Sequence, residues 1–428
     1  MNPTDLQAAE LAQDHVNGER LLEAISSLAS FGGRDDGGVS RQTLTEVDLA
    51  SRRYLIDQAR SMGCEVGIDE CANLFFRRPG LDNDLPPVLT GSHADTQPVG
   101  GTLDGAYGVI AGLEVIAALN DAGIQTLRPI EVVAWTNEEG SRFGPGTMGS
   151  SAFVEPARLA EYRGSRDGDG ISFGEALDSA LAAVSDVPRL AMARPMASYV
   201  ELHIEQGPIL EAENVPLGVV DGIQSVRWYR VECQGTMAHA GTTPMDRRND
   251  AMATAHRVAQ RLYEFAAAEA ATQVRLTLGR WLVEPNSVNT IPGRVEFTID
   301  VRCVDEAVLD RFEAMLNETI NTQVASPATV TATCFFRRAS TKFPEHMQRL
   351  VEKACTRAAT LAGRKLPITL TSGAFHDAMY LVDHCPTSMI FVPSIDGVSH
   401  NASEATAPDD LVLGAQALAY TVAALASS

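Results

Sequence analysis

The sequence predicts an α/β protein of two domains, with a mainly parallel central sheet and an inserted, smaller α+β domain. Three observations predict it. Strand-like and helix-like segments alternate through the first half of the chain and again near its end. A strand–helix–strand–strand–helix–strand run, the ferredoxin-like order, fills the middle. The 428 residues exceed what one ordinary core accommodates. The expected division is 1–222 and 339–428 for the larger domain and 223–338 for the insertion.

The elements follow in order. Residues 19–30 place Leu21, Leu22, Ile25 and Leu28 on one helical stripe, and Leu55, Ala59 and Met62 form another before Gly63 stops it. The glycine- and aspartate-rich stretch 32–38 reads as a mobile loop. Pro87 to Thr90 is a buried strand running into Gly91-Ser92-His93. After the turn at Gly100-Gly101 comes a helix from about Gly105 to Asn120. Ile130 to Thr136 is a second buried strand, ending at Glu138-Glu139. From 200 to 205 the alternation is clean: Val200, Leu202 and Ile204 face one side, Glu201, His203 and Glu205 the other. In the insertion, Trp228–Cys233 alternates as a strand, and residues 246–271 form an alanine-rich helix. Strands follow at Gln273–Leu278 and Val295–Arg302, then a helix at Ala307–Leu316. An alanine- and leucine-rich helix at 410–426 ends the chain.

Acids outnumber bases 55 to 34, giving a formal charge of −21, the opposite of a nucleic-acid-binding footprint. Anionic membranes would be repelled, and no apolar run reaches the 18 residues of a membrane span. The opening stretch lacks a basic and apolar leader, so no secretory signal is expected. Seven scattered cysteines fit buried thiols in a reducing cytoplasm better than a disulfide framework. A few local arginines suffice for a small carboxylate substrate.

The chemistry lies in residues far apart in sequence. His93, Asp104, Glu139, His203 and His400 are the residue types that hold divalent metals, and several follow strand ends flanked by glycine. Asp104, with two oxygens, is the candidate bridge between two ions. Asp95, two residues on, is placed to orient the His93 imidazole or shape its basicity. Nitrogen and oxygen ligands together suit zinc, manganese or cobalt better than calcium. Glu138 is the candidate base, taking a proton from the attacking water and passing it to a leaving nitrogen. His239, in the inserted domain, is the candidate donor to the developing oxyanion, so domain closure would assemble the site.

Seven stretches carry a resemblance: GSHADTQPVGGTLDGAYGV, TNEEGSRFGPGTMGS, HIEQGPILE, GTMAHAGTTPMDRRNDA, PNSVNTIPG, SGAFHDAM and GVSHNASE. In kind and order they resemble the M20-type amidohydrolases acting on N-carbamoyl-L-amino acids, allantoate and β-ureidopropionate. The resemblance implies an aminopeptidase-like catalytic domain with two metal ions, whose ligands match His93, Asp104, Glu139, His203 and His400, and whose base matches Glu138. It implies substrate contacts at Gln206, His239, Asn289 and Arg302, Arg302 gripping a carboxylate, with backbone contacts from Gly373 and Ala374; the plainer alternatives are a strand arginine paired with an acid for Arg302 and a turn-stabilising role for Asn289. It also implies a homodimer joined through the inserted domains, with His239 serving the partner's site. Phe375 stands where the family often has glycine, and His376 either touches substrate or braces the metal ligands. Gly144-Pro145-Gly146 replaces the aromatic residues of allantoate-type members, which favours N-carbamoyl-L-amino acids. Allantoate amidohydrolase or β-ureidopropionase is the alternative, and a catalytically inactive binding protein is the rival of a different class.

Overall fold

The computed structural model describes residues 3–323 and 327–428. The chain forms two compact units, Met1–Asp221 with Phe343–Ser428, and Gly222–Lys342. The second crossing falls after Lys342 rather than after residue 338, because the short strand Thr341–Lys342 pairs with Ile223 and Gly222.

In the larger unit the sheet is parallel through its middle. Ile130–Trp135, Val88–His93, Ser198–Ile204 and Thr387–Val392 lie side by side in that order. Antiparallel strands flank them: Leu74–Arg78 and Glu65–Ile68 on one side, Gly218–Ile223 on the other. All four middle strands are buried on both faces, as parallel strands covered by helices must be. The polar side of Ser198–Ile204 is therefore buried as well, and Glu201 and His203 sit inside the protein. The covering helices Ala106–Asp121 and Pro408–Ala426 are apolar nearly all round, as expected of helices enclosed by other elements.

The chain leaves Val88–His93 through the helix Ala106–Asp121 to reach Ile130–Trp135 on one side, and Ser198–Ile204 takes the other side. Strand order thus reverses at Val88–His93. At such a switch point the loops beyond the strand ends part and leave a crevice. His93 ends its strand, His203 is next to last in its own, and Glu138 lies just beyond Trp135.

The stretch 32–38 is a hydrogen-bonded turn rather than an open loop. Arg34 pairs with Asp36 at 2.9 Å, and the backbone of Val39, just beyond it, pairs with Gly100 in both directions at 2.9 and 3.0 Å. Arg41 follows, 1% exposed, and donates to the carbonyls of Ala94, Leu28 and Phe31 at 2.7–2.9 Å. A buried guanidinium thus holds the chain immediately after His93.

The smaller unit has the strand order Trp281–Glu284, Arg294–Cys303, Ser225–Gln234, Thr329–Arg338, with every neighbouring pair antiparallel. Helices Ala251–Ala268 and Glu306–Glu318 bury Val258, Leu262, Val308, Leu309 and Phe312 with Val231, Phe297 and Ile299 of the sheet. The first helix starts later than residue 246. Asp250 caps it, accepting from Met252 and Ala253 N–H at 2.9 and 3.0 Å, an interaction that stabilises a helix start by about 1 kcal/mol.

Among the described residues no helix is long and apolar enough to cross a membrane. All seven cysteines are free, and all but Cys334 are buried.

Candidate metal centre

Asp104 is the hub. It lies on the turn that starts the helix Ala106–Asp121, and its two oxygens face different partners. Oδ1 is 3.2 Å from His203 Nε2 and 3.7 Å from His93 Nε2. Oδ2 is 3.3 Å from His400 Nε2, which is itself 3.5 Å from Glu139 Oε2. Two groups of possible ligands result, His93–Asp104–His203 and Asp104–Glu139–His400, with the ligand atoms of each within 4.8 Å of one another. The next residue, Gly105, has φ +63°, and a Cβ there would overlap the His93 imidazole. Only glycine fits both the left-handed backbone and the close approach.

The rings of the inner histidines are fixed from behind. His93 Nδ1 bonds the Asp95 carbonyl and His203 Nδ1 bonds the Ile204 carbonyl, each at 2.9 Å. Both Nε2 atoms therefore face the centre, the second-layer pattern typical of histidine ligands. Asp95 meets His93 through its backbone carbonyl, which makes the hydrogen bond to Nδ1, and its carboxylate Oδ1 lies 3.9 Å from the same nitrogen. The carboxylate accepts from Glu138 N–H at 3.2 Å and Glu139 N–H at 3.4 Å, so it aims the paired glutamates. His376 is buried, packs edge-on against His203 with ring centroids 4.5 Å apart, and bonds Ser372 Oγ at 2.9 Å.

Glu138 is 9% exposed, and its Oε2 lies 3.5 Å from His93 Nε2, beside both ligand groups but in neither. Burial, then the charges of Asp377, Glu139, Asp104 and Asp95, hold its carboxyl well above the usual range. Burial and Asp104 likewise push Glu139 up to about 8. Burial alone would lower His203, but the hydrogen bond and charge of Asp104 lift it to about 9. His400 reaches about 9 chiefly through its hydrogen bond with Asp104. His93 falls to about 4 because burial outweighs the pull of Asp104.

The donor set fits divalent cations. Asp95, Asp104, Glu138, Glu201, Asp377 and Glu404 are all buried. The hydrogen bonds to Asp95, Glu139, Glu201 and Glu404 come from backbone amides, serine hydroxyls and the Gln97 carboxamide. Those donors carry no full positive charge. Buried carboxylates crowded in this way are costly, and cations placed between them remove the cost.

Sequence reasoning gave Gln97, Ser399 and Glu404 no role, and it gave Gln206 and Ala374 only a substrate contact. Gln97 donates to both Glu139 oxygens, at 3.0 Å from its backbone and 2.7 Å from its side chain. Ser399 and Glu404 support Asp104, and Gln206 donates to Asp104 Oδ2 at 2.9 Å and to Ser399 Oγ at 3.0 Å. Both amide hydrogens of Gln206 are thereby committed, which leaves its carbonyl oxygen as the remaining polar atom of the side chain. Ala374 N–H is bonded to Ser372 Oγ at 3.1 Å, beside the half-buried Phe375 and Gly373. The segments quoted for the resemblance contained most of these positions, but nothing in their spacing assigned them a task.

In the smaller unit, His239 and Asn289 lie side by side. His239 pairs in register with Thr290, and Ala240 N–H bonds the Asn289 carbonyl at 3.0 Å. Gly241 N–H donates to His239 Nδ1 at 3.1 Å, so the neutral ring carries its proton on the exposed Nε2. That is the tautomer an oxyanion donor requires. Arg302 grips Asp300 through Nε and Nη2 at 2.9 and 2.7 Å. A substrate carboxylate at Arg302 would have to share it with Asp300.

The chain is 37% identical over 410 residues to the N-carbamoyl-L-amino-acid amidohydrolase of Rhizobium meliloti, covering 95% of this chain and 96% of that one. It is 34% identical over 410 residues to the allantoate amidohydrolase of Escherichia coli K12, covering 95% and 98%. The crystal structure of an amidase of the hydantoinase/carbamoylase family from Burkholderia vietnamiensis superposes with a TM-score of 0.87 at 42% identity, covering 96% and 98%. The sequence profile of peptidase family M20/M25/M40 matches residues 89–424, the span that holds every possible ligand around Asp104, and the chain belongs to that family.

Proposed function

We propose that the chain hydrolyses the carbamoyl C–N bond of N-carbamoyl-L-amino acids, giving L-amino acid, carbon dioxide and ammonia. One observation carries the reading: two groups of three possible ligands meet on opposite oxygens of Asp104, with a buried carboxylate in neither group beside them. The similarity to the Rhizobium meliloti enzyme supplies the substrate class.

His93, Asp104 and His203 would hold one divalent ion, and Asp104, Glu139 and His400 the other, as Zn2+, Mn2+ or Co2+. Such a pair, when bound, supplies Lewis acidity toward a carbonyl and lowers the pKa of water. Glu138 takes a proton from the attacking water, whose oxygen bonds to the carbonyl carbon. The C–N bond to one nitrogen then breaks, Glu138 returns the proton to that departing nitrogen, and the carbamic acid left on the other nitrogen loses carbon dioxide to free it as the second amine product. A carboxylate whose proton affinity is raised by burial suits both transfers. Asp95 holds the backbone of Glu138, and His376 braces His203. Gln206 offers a carbonyl oxygen to a substrate N–H. His239, Asn289, Arg302, Gly373 and Ala374 are assigned to substrate by resemblance, with the Nε2 tautomer of His239 as added support. A homodimer formed through the inserted unit, and a cytoplasmic setting, belong to the same reading.

Ammonia release by metal-replete enzyme from N-carbamoyl-L-amino acids, allantoate and β-ureidopropionate tests it. The carbamoyl amino acids should turn over fastest. Faster allantoate turnover, which the likeness to the Escherichia coli enzyme makes the alternative, would overturn the substrate assignment. No turnover of any amide at full metal content would leave a binding protein.

A further inference from the structure

We infer that Glu404 is a positioning residue that builds the Asp104–Glu139–His400 half of the centre and leaves the His93–Asp104–His203 half standing. The inference rests on the two-ion reading above. Glu404 is 6% exposed and belongs to neither ligand group. Its Oε1 accepts from the backbone N–H of Leu103 and of Asp104, each at 3.0 Å. Its Oε2 accepts from Ser399 Oγ at 2.8 Å. One carboxylate thus ties the turn carrying Asp104 to the loop carrying His400, 300 residues apart. Space for it comes from Gly101, where a Cβ would overlap the Glu404 carboxylate.

The two halves of the centre are supported differently. His93 and His203 are almost fully buried, on strand ends, with Nδ1 anchored to backbone carbonyls. The His400 side chain is 52% exposed. Among the described residues its Nδ1 has no hydrogen bond, and its backbone is in the left-handed region at φ +53°, which costs a non-glycine residue energy that its surroundings must supply. Its orientation therefore depends on the 399–404 loop, and Glu404 is the side chain that fastens that loop to Asp104. Ser399 extends the same support: it accepts from Gln206 and lies 3.3 Å from Asp104 Oδ2.

The test is Co2+ binding to the full-length metal-free enzyme, by competitive chelation and by the visible absorption of each bound equivalent. Glu404→Ala and Glu404→Gln are compared with the native chain. Native enzyme should bind two equivalents. Glu404→Ala should keep the first within about threefold and weaken the second by roughly 10- to 100-fold, the usual effect of losing a group behind a ligand. Glu404→Gln keeps an oxygen for the two backbone amides and should recover most of the second equivalent. Ser399→Ala, which leaves the backbone bonds intact, should weaken the second equivalent only slightly, and it provides a folded comparison if Glu404→Ala is unstable. Two native-like equivalents in Glu404→Ala, or equal weakening of both, would overturn the inference while the two-ion reading stands. A single equivalent in the native enzyme would overturn that reading and the inference with it.

Discussion

Replacing Glu138 by glutamine should abolish turnover without emptying the centre. The side chain belongs to neither ligand group, so both sets of possible ligands survive the change. Glutamine is isosteric, and its backbone N–H remains bonded to Asp95. What disappears is the only proton acceptor assigned to the attacking water. Positioned acid–base groups contribute about 100- to 10,000-fold, which corresponds to about 3–5 kcal/mol of activation free energy. The metal-free protein should be no less stable than the native chain, because Glu138 is buried among Asp377, Glu139, Asp104 and Asp95, and glutamine carries no charge into that site. The assay is kcat on an N-carbamoyl-L-amino acid, with metal content by elemental analysis and urea unfolding of the apoprotein. Turnover within tenfold of native at full metal content would refute the assignment of Glu138 as base. Loss of both ions would instead make it a ligand.

Three further outcomes follow from the same geometry. Asp104→Ala should lose both ions, whereas His203→Ala and His400→Ala should each lose one preferentially, as read by metal stoichiometry. Metal affinity should rise with pH between about 6 and 9. In the metal-free chain His203 and His400 titrate near 9 and Glu139 near 8, so at pH 7 each holds a proton that a metal ion must displace. The sign is checked by proton release on metal addition in weakly buffered solution: release at pH 7 that shrinks toward pH 9.5. Arg41→Met should cost about 3 kcal/mol or more in urea unfolding, because the buried Ala94 carbonyl directly after His93 and the part-buried Phe31 carbonyl lose the guanidinium, while the Leu28 carbonyl keeps the Phe31 N–H.

Two of the candidate ligands were legible in the sequence because they sit where a buried apolar run ends, whereas Asp104 lies on a helix-starting turn and His400 on an exposed loop. His93 follows Val88–Ser92, and Glu139 follows Ile130–Trp135. In the inserted unit the two helices and the strands around Trp228–Cys233 and Val295–Arg302 were legible because strand and helix periods switch cleanly, whereas Trp281–Glu284 is half-exposed and short and escaped notice. The antiparallel flanks of the large sheet were not legible, since direction is set by connections that periodicity does not encode. Glu404, Ser399, Gln97 and Arg41 were not legible for a common reason. Each acts through hydrogen bonds to partners tens to hundreds of residues away, and in the linear chain each looks like an ordinary polar residue. Asp95 shows a subtler limit. Its closeness to His93 was visible, but which of its oxygens faces the imidazole depends on the turn between them.

Anomalous diffraction at the absorption edge of the bound metal, on crystals of metal-replete enzyme, examines the centre most directly. Two peaks are expected, one by each oxygen of Asp104, the first with His93 and His203 and the second with Glu139 and His400. A single peak at full occupancy, or peaks remote from Asp104, would contradict a two-ion hydrolase.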